Sequence, residues 1–336
     1  MKALYFKGNS KIEIKELPRP KPGPGEVVIK MKSAGICGSD LLIYKPTDPP
    51  PFVSGHEGAG IVEEIGQGIL DIKVGDRVAI YHHHGCGKCT LCQMGLYMQC
   101  DNRRGLNWHT DGCDSDYFLV KEKFCLKLPG KLNFDDGAII GCAGGTAYSA
   151  VKKMDLSGRT SFVLFGTGPV GLSILMVAKV YGVEPIVVDI LKERLEFAKS
   201  FGAKKLIDAS KIDTVEAVME FTRGRGADRI MIASGSSIAQ EAAVNSIAAN
   251  GRIGFVGMGV KENTIDMDHF IRRQATAVGS YVCPRNDYPE MAEFLVENSI
   301  HFSDMVTKTF KLEEAEEAFK LFSEGASGKF MFGWDG

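Results

Sequence analysis

Gly166, Gly168 and Gly171 stand in the spacing G-x-G-x-x-G, directly after an apolar run at 161–165 and at the start of an apolar-periodic stretch. This arrangement can grip a dinucleotide. Gly166 permits a tight turn, Gly168 leaves room for a pyrophosphate against the backbone, and Gly171 lets a helix pack closely on its strand. The pyrophosphate would rest on the helix N-terminus, where free N–H groups and the helix dipole favour an anion. A second apolar run, Pro185-Ile-Val-Val-Asp189, ends in an acid about 20 residues on, where a ribose diol would donate to the carboxylate. An acid there repels a 2′-phosphate, so the pattern favours NAD over NADP. Arg194 on the next helix weighs against this if it reaches the ribose, because an arginine can accommodate that phosphate; it could equally pair with Asp189 or with solvent.

Cys86, Cys89, Cys92 and Cys100 form C-x2-C-x2-C-x7-C in a turn-rich stretch with Gly85, Gly87 and Gly95. Four thiolates this close can complete a tetrahedron around Zn²⁺ with no open position, as structural sites do. A compact Fe–S cluster and a set of idle thiols are the alternatives. The polar, lysine-containing loop favours zinc. A second set is dispersed: Gly35-Ile-Cys37-Gly-Ser39-Asp40, Gly55-His56-Glu57 and Ile140-Gly-Cys142. Spacing alone does not join these, since a lone Cys or His is more often a core residue than a ligand. In an extended segment His82 and His84 would share one face and His83 the other. Adjacent histidines seldom hold one ion together, so the run is not read as a third metal site. Cys113, Cys125 and Cys283 have no partners by spacing and read as structural thiols.

The 336 residues suffice for two domains with their own cores, and 44% hydrophobic with 24% charged residues is ordinary for a globular protein. A net charge of −2 offers no basic surface to nucleic acid or acidic membranes. No apolar run reaches the roughly 18 residues that a membrane helix needs. The N-terminus alternates apolar and polar residues about Gly8-Asn9-Ser10, a β-hairpin pattern rather than a signal peptide, so the expected location is cytoplasmic. Nine cysteines there point to metal or catalysis rather than disulfides.

The motifs GICGSD at 35–40, GHEGAGIVEEIG at 55–66, VGDRV at 74–78 and IIGCAGGTAYSAV at 139–151, with the four-cysteine loop and GTGPVG, follow one another in an order that resembles the zinc-dependent medium-chain alcohol dehydrogenases. The resemblance runs along essentially the whole chain. It implies that Cys37, His56 and Cys142 ligate a catalytic Zn²⁺ whose fourth position is open, a Cys₂His set suited to this chemistry. With the four-cysteine site that makes two zinc ions per subunit, and NAD as cofactor. In the polyol and threonine branches of the family the third ligand is usually a Glu, so Cys142 lies closer to the alcohol pattern. Asp40 is placed to orient His56, and Glu57 to act behind the metal or as a transient ligand; both could instead be salt-bridge partners. Val170 and Thr146 would pack on the nicotinamide, or serve as plain core residues.

Ser39 occupies the position whose hydroxyl passes the substrate proton to the cofactor ribose. Many relatives then use a His three positions along, where this chain has Leu42. The relay must run through water or through the ribose to another group, or work less well. General-base help is worth about 10²–10⁴-fold, so the difference matters. By the same resemblance His82 lines the substrate pocket, and it could contact a polar substrate or replace the relay group. Trp108 and His109 could reach the cleft from a polar loop, or stay exposed.

These residues need two kinds of framework. Residues 1 to about 145 hold short strands and turns, whereas from 160 onward apolar strands near 161–165, 185–189, 204–207, 228–233, 251–256 and 275–281 alternate with helical stretches. Amphipathic helices follow at 288–298 and 312–325, the second with Leu312, Ala315, Phe319 and Phe322 on one face. The expected class is α/β: a Rossmann doubly wound parallel sheet at 148–284, and a discontinuous β-rich GroES-like catalytic domain at 1–147 and 285–336 with a structural zinc lobe at about 84–102. The active site would lie in the cleft where the Cys142 segment crosses between them. The expected activity is hydride transfer between an alcohol and NAD, in a homodimer or homotetramer. A polyol, sugar or amino alcohol is the alternative substrate, with hydrogen bonds from His82 and the loop 107–115. A catalytically silent, redox-sensing zinc protein is the alternative class. Retention of three ligands, Ser39 and the complete glycine fingerprint disfavours it.

Overall fold

Lys2–Gly8 pairs antiparallel with Lys11–Glu16 through a turn in which Asn9 and Ser10 take φ of 53° and 58°. Two successive left-handed residues give the turn the twist its strands require, so the alternation at the N-terminus does fold as a hairpin. The structure, a computed structural model, describes residues 1–259, 265–325 and 327–334. The chain divides into two compact units, one of Met1–Gly145 with Cys283–Gly336 and one of Thr146–Val282.

The first unit is built on a seven-stranded sheet in the order Val306–Phe310, Lys329–Gly333, Glu26–Gly35, Glu57–Ile65, Arg77–Ile80 and Cys125–Lys127, with Tyr117–Lys121 pairing onto Glu26–Gly35. Its first pair is parallel and the others are antiparallel. The C-terminal segment thus adds two strands to the sheet formed by the start of the chain. Leu312, Ala315, Phe319 and Phe322 all turn inward as the periodicity predicts. They pack with Leu4, Phe6 and Ile36, and the Phe6 and Phe319 rings meet edge to face at 5.1 Å.

The second unit is a six-stranded parallel sheet in the order Lys205–Asp208, Pro185–Asp189, Phe162–Phe165, Ala227–Ile232, Ile247–Phe255 and Thr276–Gly279. In chain order that is 3-2-1-4-5-6, the dinucleotide-binding arrangement. Val163, Phe165, Ile186, Val188, Ile230 and Ile232 form its core, as expected of strands covered on both faces. Within the described residues no helix is long and apolar enough to cross a membrane.

The strand Phe162–Phe165 passes into the helix Pro169–Lys179 through Gly166 at φ 90°, with Gly168 at the N-cap and no side chain over the first turn's N–H groups. A Cβ on Gly171 would stand 2.0 Å from the Gly166 carbonyl oxygen, while one on Gly168 would meet nothing within 4 Å. The two glycines therefore serve different ends: Gly171 allows contact and Gly168 leaves open space. An alanine inside a helix normally gains up to about 1 kcal/mol over glycine. At position 171 the backbone collision outweighs that gain, and Gly171→Ala is expected to destabilise the protein by about 1–3 kcal/mol. Urea unfolding beside Gly130→Ala, where a Cβ meets nothing within 4 Å, checks this; equal midpoints for the two variants would contradict it.

Candidate metal and dinucleotide sites

Glu26–Gly35 and Glu57–Ile65 pair so that Gly35 lies opposite Glu57. Cys37 leaves the end of the first strand and His56 enters the second, so the register brings them to the same end of the sheet. Cys142 comes from a helix that widens into a π-turn at Ile140–Gly144, the kind of local irregularity often found where a side chain must be re-aimed. Close packing holds this turn down, since a Cβ on Gly144 would strike the Phe302 ring at 2.4 Å and one on Gly141 the Ile80 carbonyl oxygen at 2.8 Å. As a result the ligand atoms of Cys37, His56, Glu57 and Cys142 lie within 4.8 Å of one another.

Two sulfurs and an imidazole nitrogen converging in this way suit a borderline divalent cation such as Zn²⁺. The charge balance agrees. A hydrogen bond from the Cys142 thiol holds Cys37 well below the usual thiol range despite desolvation, while Cys142, as the donor and partly desolvated, is pushed well above it. Burial opposes charge on His56, yet Asp40 and the Cys37 sulfur push it well above the usual histidine value. The pocket is electron-rich and favours a cation.

Asp40 contacts both candidate ligands. Its Oδ1 lies 2.9 Å from His56 Nδ1 and its Oδ2 accepts from the Cys37 backbone N–H at 2.8 Å, with the carboxylate only 1% exposed. The Nδ1 proton fixes the tautomer and leaves Nε2 for a metal. Glu57 faces Lys329 at 2.7 Å, both wholly buried. Burial works to raise the Glu57 carboxyl, against the pull of Lys329. Burial also works against the Lys329 charge, but Glu57 and the Cys37 sulfur outweigh it and raise its pKa. A Cβ on Gly35 would lie 2.7 Å from Glu57 Oε2 and 2.9 Å from Lys329 Cε, so any larger residue there would have to push this pair aside. Sequence reasoning missed Lys329, because a lone lysine near a C-terminus reads as surface.

The Ser39 hydroxyl stands 3.4 Å from both Cys37 Sγ and His56 Nε2, within the cluster. Leu42 is 60% exposed and Trp108 39% exposed. His82 Nδ1 contacts the Gly141 carbonyl at 2.7 Å and its ring centre lies 5.3 Å from that of His56. Burial and the neighbouring His56 push it down to about 3, so the ring is neutral, Nδ1 donates, and Nε2 keeps its lone pair. The expected alternation of the histidines does not hold at its first step: the His82 and His83 rings lie 4.2 Å apart rather than on opposite faces. The two-residue strand begins only at His83, so His82 precedes the extended segment. His84 stacks on Phe124 at 3.9 Å, and burial pushes it down to about 4. Cys113, Cys125 and Cys283 are buried.

The four-cysteine loop gathers its sulfurs into a second cluster. Cys86 Sγ to Cys92 Sγ measures 4.0 Å and Cys89 Sγ to Cys100 Sγ 3.7 Å. A Zn–S length of about 2.3 Å implies tetrahedral edges of about 3.8 Å, so these spacings fit one zinc ion. Backbone N–H groups of Lys88 and Cys89 hold Cys86 down to about 6, whereas burial pushes Cys92 up to about 12.

At the glycine turn, Asp189 is buried at the end of its strand. Thr167 donates to its Oδ2 from both N–H and hydroxyl at 2.8 Å, and Ile190 and Leu191 N–H donate to Oδ1 at 2.8 and 3.1 Å. Four donors saturate a carboxylate, so a ribose diol would have to displace one, and the Thr167 hydroxyl is the one that can rotate away. Arg194 lies half-buried on Lys192–Ala198, Val170 in the first turn of the fingerprint helix, and Thr146 is 9% exposed in Gly145–Lys152.

Residues 23–130 match the alcohol dehydrogenase GroES-like domain and residues 169–297 the zinc-binding dehydrogenase domain. The chain is 36% identical to YphC of Escherichia coli K12, described as an uncharacterized zinc-type alcohol dehydrogenase-like protein, with 98% of each chain covered. It is 33% identical to an L-threonine 3-dehydrogenase of Pyrococcus horikoshii, covering 95% of this chain and 94% of that one. Among solved structures, the alcohol dehydrogenase rspB of Escherichia coli CFT073, complexed with cofactor NADH, superposes with a TM-score of 0.91 at 29% identity over 99% of both chains. Likeness of this extent along the whole length means that the chain belongs to the zinc-dependent medium-chain alcohol dehydrogenase family.

Proposed function

We propose that this protein transfers a hydride between a CH–OH substrate and NAD, interconverting an alcohol with its aldehyde or ketone. The convergence of Cys37, His56 and Cys142 carries the reading. These three would hold a catalytic zinc and the four-cysteine loop a structural one. When bound, the catalytic zinc would act as a Lewis acid that lowers the pKa of a substrate hydroxyl toward neutrality. NAD, held by Gly166, Gly168 and Gly171, would accept the hydride at its nicotinamide.

The chain's own residues would do the rest. Asp40 fixes the His56 ring and the Cys37 backbone, so the donor atoms are oriented before substrate arrives. Ser39, within reach of both ligands, would take up the hydroxyl proton's hydrogen bond. Asp189 would read the adenosine ribose once the Thr167 hydroxyl turns aside. Lys329 would balance Glu57, which otherwise is a carboxylate without a counter-charge inside the protein.

A second reading, a polyol, sugar or amino alcohol as substrate, is favoured by the lone pair on His82 Nε2, which could accept from a second substrate hydroxyl or amine. The likeness to a threonine dehydrogenase supports it. A panel of primary alcohols, secondary alcohols, polyols and amino alcohols scored by NADH absorbance separates the two.

Cys37→Ser is expected to abolish turnover while retaining the fold and NAD affinity; activity equal to wild type would refute the ligand role. Asp189→Gly should move the preference toward NADP, because it removes the charge that faces a 2′-phosphate, and an unchanged ratio of NAD to NADP efficiency would count against Asp189 as the ribose reader. Lys329→Met leaves Glu57 buried without compensation, a change that typically costs about 3–5 kcal/mol. Adding Glu57→Gln should recover most of that loss. Unfolding midpoints of the single and double variants measure both effects, and a single variant as stable as wild type would show that the pair bears no charge.

A further inference from the structure

Beyond Asp40 the chain of contacts to His56 has another member. Asn107 is 2% exposed, and its Nδ2 donates to Asp40 Oδ1 at 2.8 Å, the same oxygen that receives His56 Nδ1. Nδ2 also lies 3.5 Å from His56 Nδ1. The opposite amide orientation would set a carbonyl oxygen against the carboxylate, so the contact itself dictates which way the side chain points. His56 and Asp40 are 4% and 1% exposed, so water has little access to the carboxylate and its charge depends on these fixed donors.

The backbone aims Asn107 there. His83 and His84 pair with Gly105 and Arg104, and the Leu106 N–H donates to the His82 carbonyl at 3.1 Å. The Asn107 N–H then closes a turn onto the Thr110 carbonyl at 2.9 Å, with φ at 58°. Asn, Asp and Gly are the residues that enter this left-handed region most readily. Of the three, only Asn can donate to a carboxylate. Asp would face Asp40 with a like charge, and Gly would offer nothing.

We infer that Asn107 is a positioning residue for the metal ligand His56, acting through Asp40. It supplies the third hydrogen bond to a carboxylate already tied to the Cys37 backbone and the His56 ring. Its donation holds the Asp40 carboxylate in place, so that Oδ1 stays on the His56 Nδ1 proton and the ring keeps Nε2 aimed at the metal. The inference rests on the reading of His56 as a ligand.

The test uses full-length protein with both metal sites filled, in wild type, Asn107→Asp and Asn107→Gly. Zinc affinity is read by chelator competition, and Co²⁺ placed in the catalytic site is read by its ligand-field and thiolate charge-transfer bands. Outer-sphere partners of metal ligands commonly affect metal affinity by about 10–100-fold. Asn107→Asp should lose affinity within that range and shift the Co²⁺ bands, Asn107→Gly should lose less, and the four-cysteine metal should be retained in both. Should Asn107→Asp fail to fold, Asn107→Gly, which keeps the backbone geometry, carries the comparison. Affinity and spectra unchanged from wild type in the folded variants would overturn the inference. Wild type that retains only the four-cysteine metal would overturn the ligand reading instead.

Discussion

The register between Glu26–Gly35 and Glu57–Ile65 decides whether Cys37 and His56 can meet at all. Side chains alternate along a strand, so a slip of one residue would send Glu57 from the interior to the opposite face and carry the ligand positions out of line. Glycines lock the pairing. A Cβ on Gly60 would lie 2.2 Å from the Lys30 carbonyl oxygen, and one on Gly58 would crowd Met31 Cε and Cys113 Sγ at 2.7 and 2.8 Å. The ladder is also irregular between Val28 and Ile29 and between Met31 and Ser33, and such bulges pin register as well as twist. The glycines of the motif at 55–66 therefore serve strand pairing as much as the neighbouring ligand.

Once the strands are set, electrostatics takes over. The end of this sheet buries two carboxylates and a lysine and sets two half-buried cysteines beside an imidazole, a group no core would assemble for stability alone. Each anion has a partner close by: Asp40 has His56, Glu57 has Lys329, and the Cys37 sulfur has the Cys142 thiol. A divalent cation among the donors would relieve the remaining negative charge. Donors preorganised in this way cost folding energy that the binding of a cation would repay.

The sequence made local features legible and left long-range ones hidden. The glycine fingerprint, the four-cysteine spacing, the six parallel strands and the apolar face of Leu312, Ala315, Phe319 and Phe322 are periodic or closely spaced, and each kept its form in three dimensions. Lys329 could not be read in this way, since its partner is Glu57 and only the added strand Lys329–Gly333 brings them together. Asn107 lay inside a loop expected to serve the substrate, and its inward turn depends on a left-handed backbone angle that its sequence neighbours do not announce. Thr167, at a variable position of the glycine fingerprint, gave no signal in the sequence, and its hydroxyl and N–H occupy half of the Asp189 carboxylate. In each case the missing information was a pairing between distant segments or a single backbone dihedral.

The same geometry bears on how a proton could leave. Leu42, where relatives with a longer relay have a histidine, is exposed and has no group that could accept one. His82 is the neighbouring imidazole, but burial holds it near 3, and a cation among the ligands would lower it further. A base that weak gains almost nothing at neutral pH, since proton transfer is most effective when the acceptor's pKa lies near the working pH. His82 therefore suits a fixed hydrogen-bond acceptor rather than a relay. If Ser39 takes up a substrate proton as proposed, neither Leu42 nor His82 offers it an onward base, and the acceptor would have to be a cofactor hydroxyl or water.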